Sequence, residues 1–125
     1  MTEAEAQDFA IEWIAAWNSH DLDRILSHYT DDVEVTSPLV ETLLGPGRVT
    51  VRGKEMLRIY WGSALVKYPD LHFKLYRAYA GARSVVLHYQ SVQALVAAEC
   101  MELDSAGLVR RVLAHYALGS DPSAA

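Results

Sequence analysis

Glu99 is a lone carboxylate in the run Ala94-Leu95-Val96-Ala97-Ala98-Glu99-Cys100-Met101, which otherwise reads as a strand buried on both faces. An ionised carboxylate without a partner is too costly in such a place, so the group must be paired, protonated or turned toward a cavity. The last two states make a carboxyl group useful, as a proton donor or a poised base. Cys100 beside it has no His near it in sequence and no helix start, and reads as a small hydrophobe rather than a nucleophile. The His, Cys and carboxylate residues fall at no convincing metal-ligand spacing, so neither a metal site nor a cofactor is expected. The sequence carries no phosphate loop, Gly-Xaa-Ser-Xaa-Gly elbow or dinucleotide fingerprint.

The elements that must hold Glu99 follow from the periodicity. Residues 3–19 place Phe9, Ile11, Trp13, Ile14 and Trp17 at helical spacing, with Glu3, Glu5 and Asp8 at the end where the helix dipole favours acids. Asp21 caps a short second helix running to residue 29, after which Asp31-Asp32 reads as a turn. Residues 33–37 alternate as a strand that Pro38 ends. Residues 39–52, interrupted by Gly45-Pro46-Gly47, read as a loop or loose hairpin. Gly53-Lys54-Glu55 opens a third helix, whose apolar side includes Tyr60 and Trp61 and which ends before Pro69. The period then becomes alternating, with strands expected at 71–79, 84–92, 95–104 and 108–118. Helices first and a run of strands after predict α+β.

At 125 residues the chain suits one domain, expected over 1–118, with 119–125 as a flexible tail. A formal charge of -5 with scattered Lys and Arg argues against nucleic acid. No apolar run reaches the ~18 residues of a membrane span, and the acidic start is no signal peptide. With a single cysteine no internal disulfide forms, and the default location is the cytoplasm.

The stretch Ala15-Ala16-Trp17-Asn18-Ser19-His20-Asp21-Leu22-Asp23, leading into Tyr29-Thr30-Asp31-Asp32-Val33-Glu34-Val35, resembles the nuclear transport factor 2-like superfamily. More narrowly, with Gly-Lys-Glu opening the next helix and a four-strand meander after it, the chain is similar to the ketosteroid isomerase and polyketide cyclase (SnoaL-like) branches. The resemblance spans about residues 5 to 117. It implies a cone: a strongly curved, mixed or antiparallel sheet wrapped around three N-terminal helices, with an apolar cavity open at one end. It also implies roles. Ketosteroid isomerases combine an Asp base, a Tyr donor and a protonated carboxylic acid. The corresponding positions here are Ser37, Trp13 and Glu99. Ser37 has no useful basicity near neutral pH, so steroid isomerisation by that mechanism is not expected.

Strand parity puts Ala97, Met101 and Leu103 on the same face as Glu99. The register implied by the resemblance adds Val112, Ala114 and Tyr116 from the last strand, and Val86, His88 and Gln90 from the strand before Glu99. Phe73 joins them, with Trp13, Trp17, Tyr60 and Trp61 from the helices. A mostly apolar chamber with a few polar groups is the usual form of a small-molecule site. Glu99, His88 and Tyr116 are its catalytic candidates, moving a proton on an apolar carbonyl, enol or epoxide compound or activating a water. Two other readings stand beside this one: a ligand-binding or dimerisation module without chemistry, and a Glu99 paired for structural reasons. Tyr76, Ala78, Leu87, Tyr89, Val96, Ala98, Cys100 and Leu113 are assigned to the outer sheet face. That face is too apolar to be left in water, which predicts a homodimer packed sheet to sheet.

Overall fold

The first helix, α1 (Glu3–Ser19), begins in a capping box: the Thr2 hydroxyl accepts from the Glu5 N–H, and the Glu5 carboxylate accepts from the Thr2 N–H. His20 ends it in a left-handed turn. Asp21 caps α2 (Leu22–Leu26) by accepting from the Arg24 N–H. Next come β1 (Tyr29–Thr36), α3 (Pro38–Leu44), β2 (Thr50–Arg52) and α4 (Lys54–Lys67). The chain then runs through β3 (Lys74–Ala80), β4 (Ser84–Gln90), a 3-10 turn (Val92–Ala94), β5 (Val96–Leu103) and β6 (Val109–Ala117). This computed structural model describes residues 1–118, so the expected tail at 119–125 lies outside the described residues.

The fold is α+β, as expected, and the described residues form four α-helices and a six-stranded open sheet in the order β2-β1-β6-β5-β4-β3. The β1–β6 pair is parallel and the other pairs are antiparallel, so the sheet is mixed. Register shifts interrupt β1, β3 and the β5–β6 pair, and such irregularities let a sheet bend around what it covers. α1 packs on β3 and α4 on β1, placing both helices on one face.

Three expectations change. Residues 39–52 are neither loop nor loose hairpin: they contain α3 and the edge strand β2, so there are four α-helices where three were expected. The physical reason is a start signal at Ser37-Pro38. The Ser37 hydroxyl accepts from the Leu39 N–H, and Pro38 occupies the first helical position, where its missing N–H costs nothing. The second change is at Asp31-Asp32, which lies within β1 at the register shift between Tyr29 and Glu34, not in a turn.

The third change is the register of β4. Leu87, not His88, stands opposite Glu99, so Val85, Leu87 and Tyr89 face inward and are almost fully buried. Val86, His88 and Gln90 occupy the outer face. Tyr76 joins them there because the β3 shift between Leu75 and Arg77 turns it outward. Its ring meets His88 edge-on at 5.2 Å and its hydroxyl donates to Gln90. Leu87, Tyr89 and Ala78 therefore leave the expected outer set. A signal for this was present, since Val85, Leu87 and Tyr89 form a more apolar alternate row than Val86, His88 and Gln90.

Candidate active site

Helices and strands from both halves of the chain converge on one hollow between the sheet and the helices. α1 supplies Trp13 and Trp17, and α4 supplies Tyr60 and Trp61. Phe73 comes from just before β3, Tyr89 from β4, Glu99 from β5 and Tyr116 from β6. Ser37, Leu39 and Leu43 close the side formed by α3. The rings form a continuous aromatic cluster: Trp13 meets Tyr89 at 5.1 Å, Phe73 meets Tyr89 at 5.0 Å, and Trp17 meets Trp61 at 5.0 Å. Asn18 fixes Phe73 within it, its side-chain amide donating to the Phe73 carbonyl at 2.9 Å and accepting from the Phe73 N–H at 2.7 Å.

Glu99 is the one carboxyl group in this wall, 7 % exposed, with an Oε2 that has no hydrogen-bond partner. Burial raises its pKa to about 8, opposed by the neighbouring Tyr89 hydroxyl. The group is therefore largely protonated at neutral pH. The hydroxyls of Ser37, Tyr60, Tyr89 and Tyr116 line the hollow with it. Burial first and the Glu99 charge second hold Tyr89 and Tyr116 well above the ordinary phenol range. Burial also pushes Tyr60 to about 12, opposed by the Ser37 hydroxyl. All these groups are neutral near pH 7, so the site is a proton-donating, uncharged chamber.

The structure thus gathers Glu99, Tyr116, Trp13, Trp17, Ser37, Tyr60, Trp61 and Phe73 into one wall. It does not bring the other expected residues there. His88, Val86 and Gln90 point to the opposite face of the sheet, because the five residues 91–95 join β4 to β5 in the register that pairs Gln90 with Val96. Met101 and Val112 face inward but are packed into the hydrophobic core. Ala114, directly opposite Glu99 on β6, is buried without lining the hollow. Two further roles are more local than expected. Trp13 Nε1 is committed to the Tyr29 hydroxyl at 2.8 Å, and the Ser37 hydroxyl caps α3.

Tyr89, Ser91, Val92, Tyr68 and Leu71 also line the hollow and were not anticipated. Tyr89 was legible from the apolar row on β4; the others belong to links between elements, which carry no periodicity. The cavity has a volume of about 40 Å³, room for a few waters and no more. Among the described residues, no three His, Cys, Asp or Glu side chains converge to hold a metal ion. No helix among them is long and apolar enough to cross a membrane.

A family profile for the SnoaL-like domain matches residues 10–118. The chain is 45% identical to a SnoaL-like protein of unknown function from Burkholderia thailandensis E264, covering 94% of this chain and 99% of that one with a TM-score of 0.88. A proposed isomerase of the SnoaL-like family from Agrobacterium tumefaciens strain C58 shares the fold at 14% identity and a TM-score of 0.73, over 92% of this chain and 99% of that one. So does SalBIII, an epoxide hydrolase/cyclase-like enzyme of pyran ring formation in the polyether salinomycin, at 16% identity, a TM-score of 0.70 and 93% of each chain. No protein of curated function matches the chain in sequence.

Proposed function

The chain belongs to the SnoaL-like domain family, and from that premise and the geometry around Glu99 we propose that it binds a small apolar carbonyl, enol or epoxide compound and transfers a proton to it. The observation that carries this reading is the buried Glu99 carboxyl, unpartnered at Oε2, in an aromatic wall. A neutral carboxylic acid there donates a hydrogen bond or a proton to a ligand oxygen, which lowers the barrier to enolisation or to C–O cleavage in an epoxide. Tyr116, Tyr60 and Ser37 would orient that oxygen. His88 has no part in this reading, because it sits behind the sheet. The fold shared with a proposed isomerase and an epoxide hydrolase/cyclase-like enzyme supports the class of reaction and not a particular substrate.

Turnover of a cyclic enone and an aryl epoxide by the protein and its Glu99→Gln variant tests the proposal. The amide keeps a hydrogen-bond donor but has no proton to give. Binding should survive within about tenfold while turnover falls by roughly 10²–10⁴. Unchanged turnover would remove Glu99 from the reaction.

One observation favours a second reading, a binding or dimerisation module without chemistry. The cavity is only about 40 Å³, and among the described residues Glu99 is its one titratable group other than tyrosines. Binding of the same two probes without turnover by the unmodified protein would establish it.

A further inference from the structure

A second cleft, about 370 Å³, opens between the link from α4 to β3 and the link from β4 to β5. Tyr68, Leu71, Ser91 and Val92 line both this cleft and the cavity around Glu99, so the two spaces adjoin across these side chains. We propose that this cleft is the entrance and outer subsite of the Glu99 cavity, with Tyr68 and Val92 as the partition that moves aside. The ligand would then be an elongated molecule, with an apolar end reaching Glu99 and a neutral hydrogen-bonding end held outside. This inference rests on the ligand-binding reading above and adds to it the route and the shape of the ligand.

Three observations carry it. First, the inner cavity is too small to admit any organic substrate as it stands, whereas the adjoining cleft is about nine times larger. Second, the side of the partition formed by the β4–β5 link is strained. Gln93 and Ala94 take consecutive left-handed conformations, φ 54° and 57°, which non-glycine residues rarely adopt. Only two backbone hydrogen bonds, Ser91 N–H to the Leu95 carbonyl and Leu95 N–H to the Val92 carbonyl, close that link. Third, the outer cleft is polar and balanced. Lys67 and Asp70 carry opposite charges, His72 stands in the same lining, and Ser91 and Gln93 supply uncharged donors and acceptors. That lining matches hydroxyl or amide groups better than a carboxylate or an amine.

The three tryptophans of the chain, Trp13, Trp17 and Trp61, all line the inner cavity, so their fluorescence reports access to it directly. Acrylamide, a small neutral amide, serves as the quencher. Tyr68→Ala and Val92→Ala should each raise the quenching constant at least threefold while the emission maximum stays that of buried indole. Leu43→Ala, which thins the cavity wall on the α3 side, should not. A third variant moves the other way: Gln93→Asn with Ala94→Asn places residues tolerant of left-handed backbone in the link, and should lower quenching about twofold. This variant decides the matter if the trimmed ones fail to fold. An unchanged constant in the folded Tyr68 and Val92 variants overturns the entrance, as does a rise in Leu43→Ala that matches theirs. For the outer subsite, an aryl epoxide extended by a neutral polyhydroxyl chain should bind at least tenfold tighter than the bare epoxide, and Gln93→Ala should erase most of that gain. Equal affinities would overturn it. Because Glu99→Gln should leave quenching unchanged, failure of the entrance and failure of the proton-donor role are read separately.

Discussion

Asn18 holds both backbone groups of Phe73, a residue 55 positions away, in two hydrogen bonds of 2.7 and 2.9 Å. A side-chain amide used this way acts as one more rung of a β-ladder, tying the last turn of α1 to the start of β3. Phe73 is thereby fixed against Trp13 at 5.8 Å and Trp17 at 5.4 Å, which sets the shape of the cavity wall. Replacing Asn18 by Ala leaves a half-buried N–H and C=O unpaired and should cost about 2 kcal/mol in urea unfolding. Asn18→Asp should cost at least as much, because its carboxylate cannot donate to the carbonyl. A loss under about 0.5 kcal/mol in both would show that water replaces the amide without penalty.

The stability of the protein should depend on pH through Glu99. Its carboxyl has a pKa near 8 when folded and about 4.5 when unfolded, so between those values the folded state holds a proton that the unfolded state has released. Stability from this group is complete below about pH 4.5 and is lost as pH rises through 8, by something on the order of 5 kcal/mol in total. Glu99→Gln removes the dependence. Unfolding curves of the two proteins at pH 5 and pH 9 should therefore diverge, with the variant the more stable at high pH. Parallel curves would mean that Glu99 titrates normally.

Ser37→Ala removes the hydroxyl that accepts from Leu39 N–H, at 3.2 Å, and should cost about 1 kcal/mol. The larger consequence is local. α3 has seven residues and carries Leu39 and Leu43 into the cavity wall, so fraying at its first turn should speed amide exchange at Leu39 and Val40 while β5 and β6 stay protected. Exchange that accelerates equally throughout would assign Ser37 a global role instead.

The outer sheet face should bind a second copy of the chain. With the register of β4 corrected, Val86, His88, Cys100 and Leu113 stand on that face together with Tyr76, and the helices pack on the other side. Leu113→Lys places a charge in the middle of this apolar area and should convert a dimer to a monomer in sedimentation equilibrium. His88→Ala should leave the Glu99 midpoint within a few tenths of a unit, since the sheet separates them. A monomeric unmodified protein would end the dimer proposal.

Much of this was legible in the residues. The acids and apolar period of 3–19, the Asp21 cap and the alternation after Pro69 reflect local preferences that tertiary packing did not override. α3 was also written there, as Ser37-Pro38 followed by Leu39, Val40, Leu43 and Leu44 at helical spacing, with Gly45 at φ 111° ending it. Reading Pro38 as a strand terminator hid its second meaning as a helix starter. His88 failed for a different reason. Its face depended on how many residues the link after Gln90 contains, and a shift of one residue sends every side chain on the strand to the other side.

By itself, the sequence determined that a lone carboxyl group would sit in a strand of apolar residues, where it must be paired, protonated or turned toward a cavity. It determined as well that helices would come first and a sheet after. The tertiary structure decided what that carboxyl meets. Tyrosine and serine hydroxyls and an aromatic wall share the hollow with Glu99, and the imidazole of His88 on the adjacent strand, turned to the other face of the sheet, does not. Local propensity acts over a few residues and survives folding. Which side chains share a cavity depends on the registry of distant strands and on links without any period, so only the folded chain sets it.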